Sequence, residues 1–176
     1  MRTMKRAFLA GGIGVALLLG ALAFILPRAL KPVPVGTEPG YRAPDFRLAR
    51  LDTGEEVSLS QFRGHVVLLL FWQSTCPDCR RAMPYFEDLR VKFSSRGLVV
   101  LGVDLDHDPD AARRYLREHR YGLIPLWGSF DAAMEVVKLY EVPLVPHVVL
   151  IDKKGVIRFR GTYPDVPTPE DIERWL

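Results

Sequence analysis

Cysteine is scarce in this chain: Cys76 and Cys79 are the only two among 176 residues. That excludes a disulfide framework of the kind that staples small secreted domains, which needs more cysteines. The four histidines, His65, His107, His119 and His147, never fall in a close pair. Two thiolates alone do not complete a zinc site, and no second knuckle is present to help them. Beyond the first forty residues there is also no excess of one charge. Residues 1–40 hold five Lys/Arg and one Glu, whereas residues 41–176 hold 19 Lys/Arg against 20 Asp/Glu. A nearly neutral domain with interspersed signs argues against a nucleic-acid surface. Internal repeats and low-complexity tracts are absent as well, which leaves room for one domain and a short appendage.

One long apolar run is present. Ala7 to Leu26, "AFLAGGIGVALLLGALAFIL", has no charge and no proline. As a helix rising ~1.5 Å per residue it would span the roughly 30 Å core of a bilayer. Arg2, Lys5 and Arg6 precede it, so residues 1–6 are expected in the cytoplasm and the remainder outside. The alternative is a cleaved signal sequence, with Ala21-Leu22-Ala23 as the small-x-small site. No cysteine lies near the segment's end, so a lipoprotein anchor is excluded. In either case residues 41–176 are expected in the oxidising periplasm or extracytoplasmic space of a bacterial inner or plasma membrane. Residues 27–40, with prolines at 27, 32, 34 and 39, suggest an extended tether.

Patterning then predicts an α/β domain. "DFRLARLDTGEEVSLSQFRG" suggests two short strands around a turn at Asp52-Thr53-Gly54, an N-terminal β-hairpin. "HVVLLLFW" (65–72) and "LVVLGVDLD" (98–106) are near-continuous apolar runs, as expected of strands buried on both faces. Between them Met83, Phe86, Leu89 and Phe93 recur at helical spacing from about Pro77 to Ser95, with Pro84 expected to kink the helix. Helices are also expected from Asp108-Pro109 to about Arg120, from Asp131 to Tyr140, and after the capping sequence Thr168-Pro169-Glu170-Asp171. "HVVLID" and "VIRFR" around Lys153-Lys154-Gly155 form a hairpin. The order implies a central mixed sheet flanked by helices.

Both cysteines fall where the first buried strand meets its helix. A disulfide closing four residues removes little unfolded-state entropy and would be a poor staple. The location instead favours thiol–disulfide exchange. Backbone N–H groups at a helix N-terminus, together with the positive end of the helix dipole, make a better thiolate of Cys76. Cys79, one turn further in, can attack a mixed disulfide formed there. Cys76 is then the nucleophile and Cys79 the resolving thiol. A peroxidatic site would want Thr three residues before the cysteine and Pro seven before; Gln73 and Leu69 stand there. "DLDHDPD" (104–110) has the alternating acids of a calcium loop, but Pro109 and Tyr115 occupy its glycine and terminal-acid positions, so it reads as a strand end and an N-cap.

"LLLFWQSTCPDCRRAMP" resembles the active-site segment of the thioredoxin fold. "APDFRLARLDTGEEVSLSQFRGHVVLLLFW" ahead of it resembles the opening of the membrane-anchored thiol–disulfide oxidoreductases of the TlpA/ResA/CcmG type. "YEVPLVPHVVLIDKKGVIRFRG" is similar to that family's cis-proline segment and hairpin. The resemblance covers about residues 41–176. It implies a thioredoxin-like fold in which Pro146 is a cis-proline facing the disulfide and Val145, Trp72 and Pro77 meet the substrate. It further implies reduction of protein disulfides, with apocytochrome c as the best-known use and a membrane thiol carrier as electron source. A monomer with no cofactor beyond the Cys76–Cys79 disulfide and no metal is expected.

Two departures stand out. The buried carboxylate that thioredoxins place six residues before the first cysteine is Leu70 here. The Glu that TlpA/ResA-type enzymes often place three residues after the second is Ala82. Bound water, Asp78 or His147 would have to move the proton instead. Asp78 is also expected to tune the pair towards the reducing end. Oxidative folding by the same cysteines, and a copper-chaperone module in which His147 joins the thiolates, are the alternatives.

Overall fold

Seven apolar residues in a row make β3 (Val66–Trp72) the centre of the structure, a computed structural model that describes residues 32–176. The expected basic tail (1–6), the apolar run (7–26) and the first part of the tether lie outside the described residues. Among the described residues no helix is long and apolar enough to cross a membrane.

Around β3 the strands β1 (Arg47–Arg50), β2 (Glu56–Ser58), β4 (Leu98–Asp104), β5 (Ile124–Trp127), β6 (His147–Ile151) and β7 (Ile157–Thr162) form one sheet in the order β2-β1-β5-β4-β3-β6-β7. β3, β4 and β5 run parallel, and the remaining neighbours pair antiparallel. Four helices complete the domain: α1 (Pro77–Phe93), α2 (Pro109–His119), α3 (Phe130–Leu139) and α4 (Pro169–Glu173).

Because successive side chains on a strand point to opposite faces, β3 supplies two cores at once. Val66, Leu68, Leu70 and Trp72 pack beneath α1, α2 and α4. Val67, Leu69 and Phe71 face α3 and the residues around β1 and β2. All seven are buried, and each large side chain removed from water contributes about 2 kcal/mol. α1 buries Cys79, Ala82, Met83, Phe86, Leu89 and Phe93, at the spacing of one helical face. Pro84 lies on its exposed side, and the helix runs unbroken through it from Pro77 to Phe93.

The domain begins earlier than its composition suggests. Residues 34–40, expected as part of a free tether, are folded against it. Arg42 N–H donates to the Pro34 carbonyl (2.8 Å), Gly36 N–H to Arg42 (3.0 Å) and Gly40 N–H to Ile157 (2.8 Å). Prolines and glycines here make turns whose backbone groups find partners, so the boundary moves from residue 41 to Pro34. Arg160 secures the segment. Its Nη1 donates to the Thr37 carbonyl (3.3 Å) and Glu38 Oε1 (2.8 Å), and its Nη2 to the carbonyls of Tyr140 and Glu141 (both 3.2 Å). Arg160→Ala is therefore expected to speed tryptic cleavage after Arg42 several-fold and to cost about 1–3 kcal/mol in urea unfolding. Unchanged cleavage would show that Arg160 does not hold this segment.

Candidate active site

Cys76 is the N-cap of α1. Its backbone is extended (φ −73°, ψ 120°) and its Sγ accepts from Cys79 N–H at 3.4 Å. Pro77 follows as the first helical residue, where its missing N–H costs nothing, and Asp78 occupies the first turn. The strand stops at Trp72 and the helix starts at Pro77, so the nucleophile candidate is held by the junction itself. Both cysteines are free thiols; Cys76 is half-buried and Cys79 is 2 % exposed. Burial pushes the Cys79 thiol well above the usual range, and its hydrogen bond with Cys76 adds to this.

The Val145–Pro146 peptide bond is cis. The register of β3 against β6, Phe71 opposite His147, brings this bond to the end of the sheet where β3 stops. The Cys76 thiol lies 3.7 Å from the Val145 carbonyl oxygen, to which it donates. Exposed Pro77 and half-buried Val145 border the sulfur, and Leu144, 69 % exposed, extends the apolar rim.

Trp72 is a correction. It was expected on the substrate surface, yet it is 0 % exposed. Its ring packs 5.8 Å from Tyr115 and lies over Gly102, where a Cβ would approach its Nε1 to 3.0 Å. A side chain pointing down from the last residue of a central strand seals the core rather than meeting a partner.

His147 is a second correction. As the register partner of Phe71 it belongs to the face opposite Cys79, with Nδ1 2.8 Å from Thr162 Oγ1. It therefore cannot pass a proton directly to the shielded thiol or share a ligand with it. Burial, with help from Arg160, holds its pKa down to about 4. Among the described residues no group of three His, Cys, Asp or Glu side chains is gathered as a metal site would require. Asp78 pairs its half-exposed carboxylate with Arg81, and its charge adds to the upward push on the Cys79 thiol. Leu70 and Ala82 are both buried in the apolar layer around Cys79.

A different carboxylate lies in this layer. Asp104, in register with Trp72 and on the same face, is 0 % exposed, and burial raises its pKa to about 8. One oxygen accepts from Asp106 N–H (3.0 Å), and Asp106 Oδ2 in turn accepts from Ser74 N–H (2.9 Å). This pair braces the loop that presents Cys76. A second missed contributor is Tyr163, whose N–H donates to the Pro146 carbonyl (3.2 Å) and which precedes another cis-proline, Pro164. The alternating acids of "DLDHDPD" were the available signal for Asp104 and Asp106; nothing marked Tyr163.

The AhpC/TSA family model matches residues 39–160. The thiol-disulfide oxidoreductase ResA of Geobacillus kaustophilus is 36 % identical over 140 residues, covering 78 % of this chain and 75 % of that protein. That of Bacillus thuringiensis subsp. konkukian is 29 % identical over 162 residues, covering 91 % and 89 %. The chain belongs to this family. It is an AhpC/TSA-family, thioredoxin-like thiol–disulfide oxidoreductase of the ResA type. The solved structure of a putative thiol:disulfide interchange protein DsbE from Chlorobium tepidum superposes with a TM-score of 0.68 at 28 % identity, covering 80 % of this chain and 96 % of that one.

Two outcomes test the site's electrostatics. At neutral pH iodoacetamide should modify Cys76 and leave Cys79 unmodified in the folded protein, read by mass spectrometry. Two of the buried titratable groups, Asp104 and His147, oppose each other in stability. Asp104, protonated more readily when folded, loses stability as pH rises from about 4 towards 8; His147, protonated less readily when folded, loses it as pH falls from about 6.5 towards 4. Asp104→Asn should therefore lower the loss of unfolding free energy between pH 5 and 8 by about 2 kcal/mol or more. An unaltered pH dependence would mean that Asp104 does not titrate in this range.

Proposed function

We propose that this oxidoreductase is a membrane-tethered reductase of protein disulfides, working on the outer side of a bacterial inner or plasma membrane in a role of the cytochrome c maturation type. The observation that carries the reading is the Cys76 sulfur, held at a helix N-terminus and 3.7 Å from the Val145 carbonyl ahead of the cis bond. An extended substrate segment can pair with the Val145 backbone while its disulfide meets that sulfur, a form of strand addition.

In the proposed cycle the Cys76 thiolate attacks one sulfur of the substrate disulfide and the other leaves as a thiolate. Cys79, deprotonated as it attacks, then displaces the remaining substrate sulfur from Cys76. Two electrons have passed to the substrate, two protons accompany them, and the Cys76–Cys79 disulfide remains. A membrane thiol carrier reduces it again. No cofactor beyond this pair is needed. A thiol as reluctant to ionise as Cys79 leaves the dithiol without the thiolate stabilisation that makes such a pair an oxidant, which supports the reducing direction over oxidative folding.

Equilibration of the pair with glutathione redox buffers tests the direction: a strongly reducing potential is expected, and a value near that of DsbA would overturn the reductase reading. Cys79→Ala should accumulate mixed disulfides with membrane-fraction proteins through Cys76, and Cys76→Ala should accumulate none. Equal trapping by the two variants would reverse the assignment of nucleophile and resolving thiol.

A further inference from the structure

Charge in the domain is sorted by end. The end at which β3 and β4 begin is built from residues 41–43, 63–65, 92–97, 153–155 and 173–176. Hydrogen bonds tie most of these segments together: Ala43 N–H to the Gly155 carbonyl (2.9 Å), Gly64 N–H to Lys153 (2.9 Å) and Val66 N–H to Gly97 (3.1 Å). The Arg96–Glu173 pair (2.7 Å) joins the last of them. These segments carry seven exposed Lys/Arg and one acid, Glu173. Residues 41–176 hold 19 Lys/Arg and 20 Asp/Glu, so the rest of the domain is left with twelve against nineteen. Arg63, Lys92 and Lys154 have no carboxylate partner among the described residues.

Apolar side chains stand out at the same end. Tyr41 is 42 % exposed and Val35 is 64 % exposed. The described chain also enters the fold here, with Arg42 bridging to Val156, and the twenty-residue apolar run 7–26 precedes it in the sequence. Cations interspersed with a tyrosine and an aliphatic side chain match a headgroup layer, where positive charge meets lipid phosphate and an amphipathic ring sits at the boundary.

We propose that this end of the domain docks on an anionic phospholipid surface, through Arg63, Lys92, Lys153 and Lys154 with Tyr41 and Val35 at the contact. Docking points Cys76 away from the bilayer. β3 rises ~3.3 Å per residue, so its seven residues hold the dithiol roughly 20 Å beyond the contact, further than the ~8–10 Å over which surface charge is felt. The inference adds an orientation to the membrane-tethered reading and rests on it only for the identity of the membrane.

The test reconstitutes the full chain with vesicles of phosphatidylcholine alone or mixed with phosphatidylglycerol. Vesicle association is read by flotation, and exposure of Lys153 by its rate of modification with an impermeant amine-acylating reagent. Lys153 should react about threefold or more slowly on the anionic vesicles. High salt should remove the difference, and Lys92→Glu with Lys154→Glu should abolish it while leaving reduction of a small disulfide in detergent unchanged. Flotation with both vesicles but equal labelling would overturn the docking and leave the anchor standing. Flotation with the anionic vesicles alone, lost in the variant, would uphold the docking and overturn the anchor. Flotation with neither would overturn both.

Discussion

The hydrogen bond from Cys79 N–H to Cys76 Sγ fixes everything the site can do. It makes the first cysteine the cap of α1, so the sulfur that meets a substrate also occupies the position where the helix's unpaired N–H groups converge. That cap exists only because β3 ends four residues earlier, and β3 is held by neighbours on both sides and by cores on both faces. The opposite wall of the site depends on the same strand. β6 pairs with β3 in the register that sets His147 against Phe71, and the residue before His147 is the cis-proline. A one-residue slip would turn every β6 side chain to the other face and carry the Val145 carbonyl away from the sulfur.

The two thiols are unequal because of this arrangement. Cys76 stands at the edge of the fold, and Cys79, three residues on, is on the buried face of α1 among Leu70, Ala82 and Trp72. Among the described residues, the ionisable side chain hydrogen-bonded with Cys79 is its partner cysteine. Asp104 shares the face but spends one oxygen on the Asp106 backbone, and the Asp106 carboxylate holds Ser74, so the acids brace the loop. An apolar surround around the resolving thiol makes its thiolate expensive, and a thiolate that is expensive to form is also a poor leaving group for reopening the substrate bond.

Much of this is legible in the sequence. Buried strands are written as unbroken apolar runs, and α1 as apolar residues at three- and four-residue intervals, because a two-sided sheet and a one-sided helix impose those patterns. Asp108, Thr168 and the prolines after them marked helix starts correctly, since capping is a local matter between neighbours in sequence. The cis bond at Pro146 was reachable only through family resemblance. What remained hidden depends on direction rather than spacing. Trp72, at the end of a strand, could face a partner or the core, and only the alternation along β3 decides it. His147 lies next to the cis-proline in sequence, yet strand geometry sends its ring to the far face. Residues 34–40 resemble a linker in composition, but Arg160, more than a hundred positions away, folds them onto the domain.

Charge follows the same logic at larger scale. Summed along the sequence, residues 41–176 look neutral, because cations and acids alternate from one connector to the next. A fold with parallel strands sends alternate connectors to opposite ends of the sheet. The loops after α1 and between β6 and β7 therefore gather at one end, bringing Lys92, Arg96, Lys153 and Lys154 together, while the loops after β3 and β4 gather Asp78, Asp106 and Asp108 at the other. An alternation that cancels in one dimension becomes a separation in three. The acids that brace the Cys76 loop and the cations at the opposite end are two consequences of one topology.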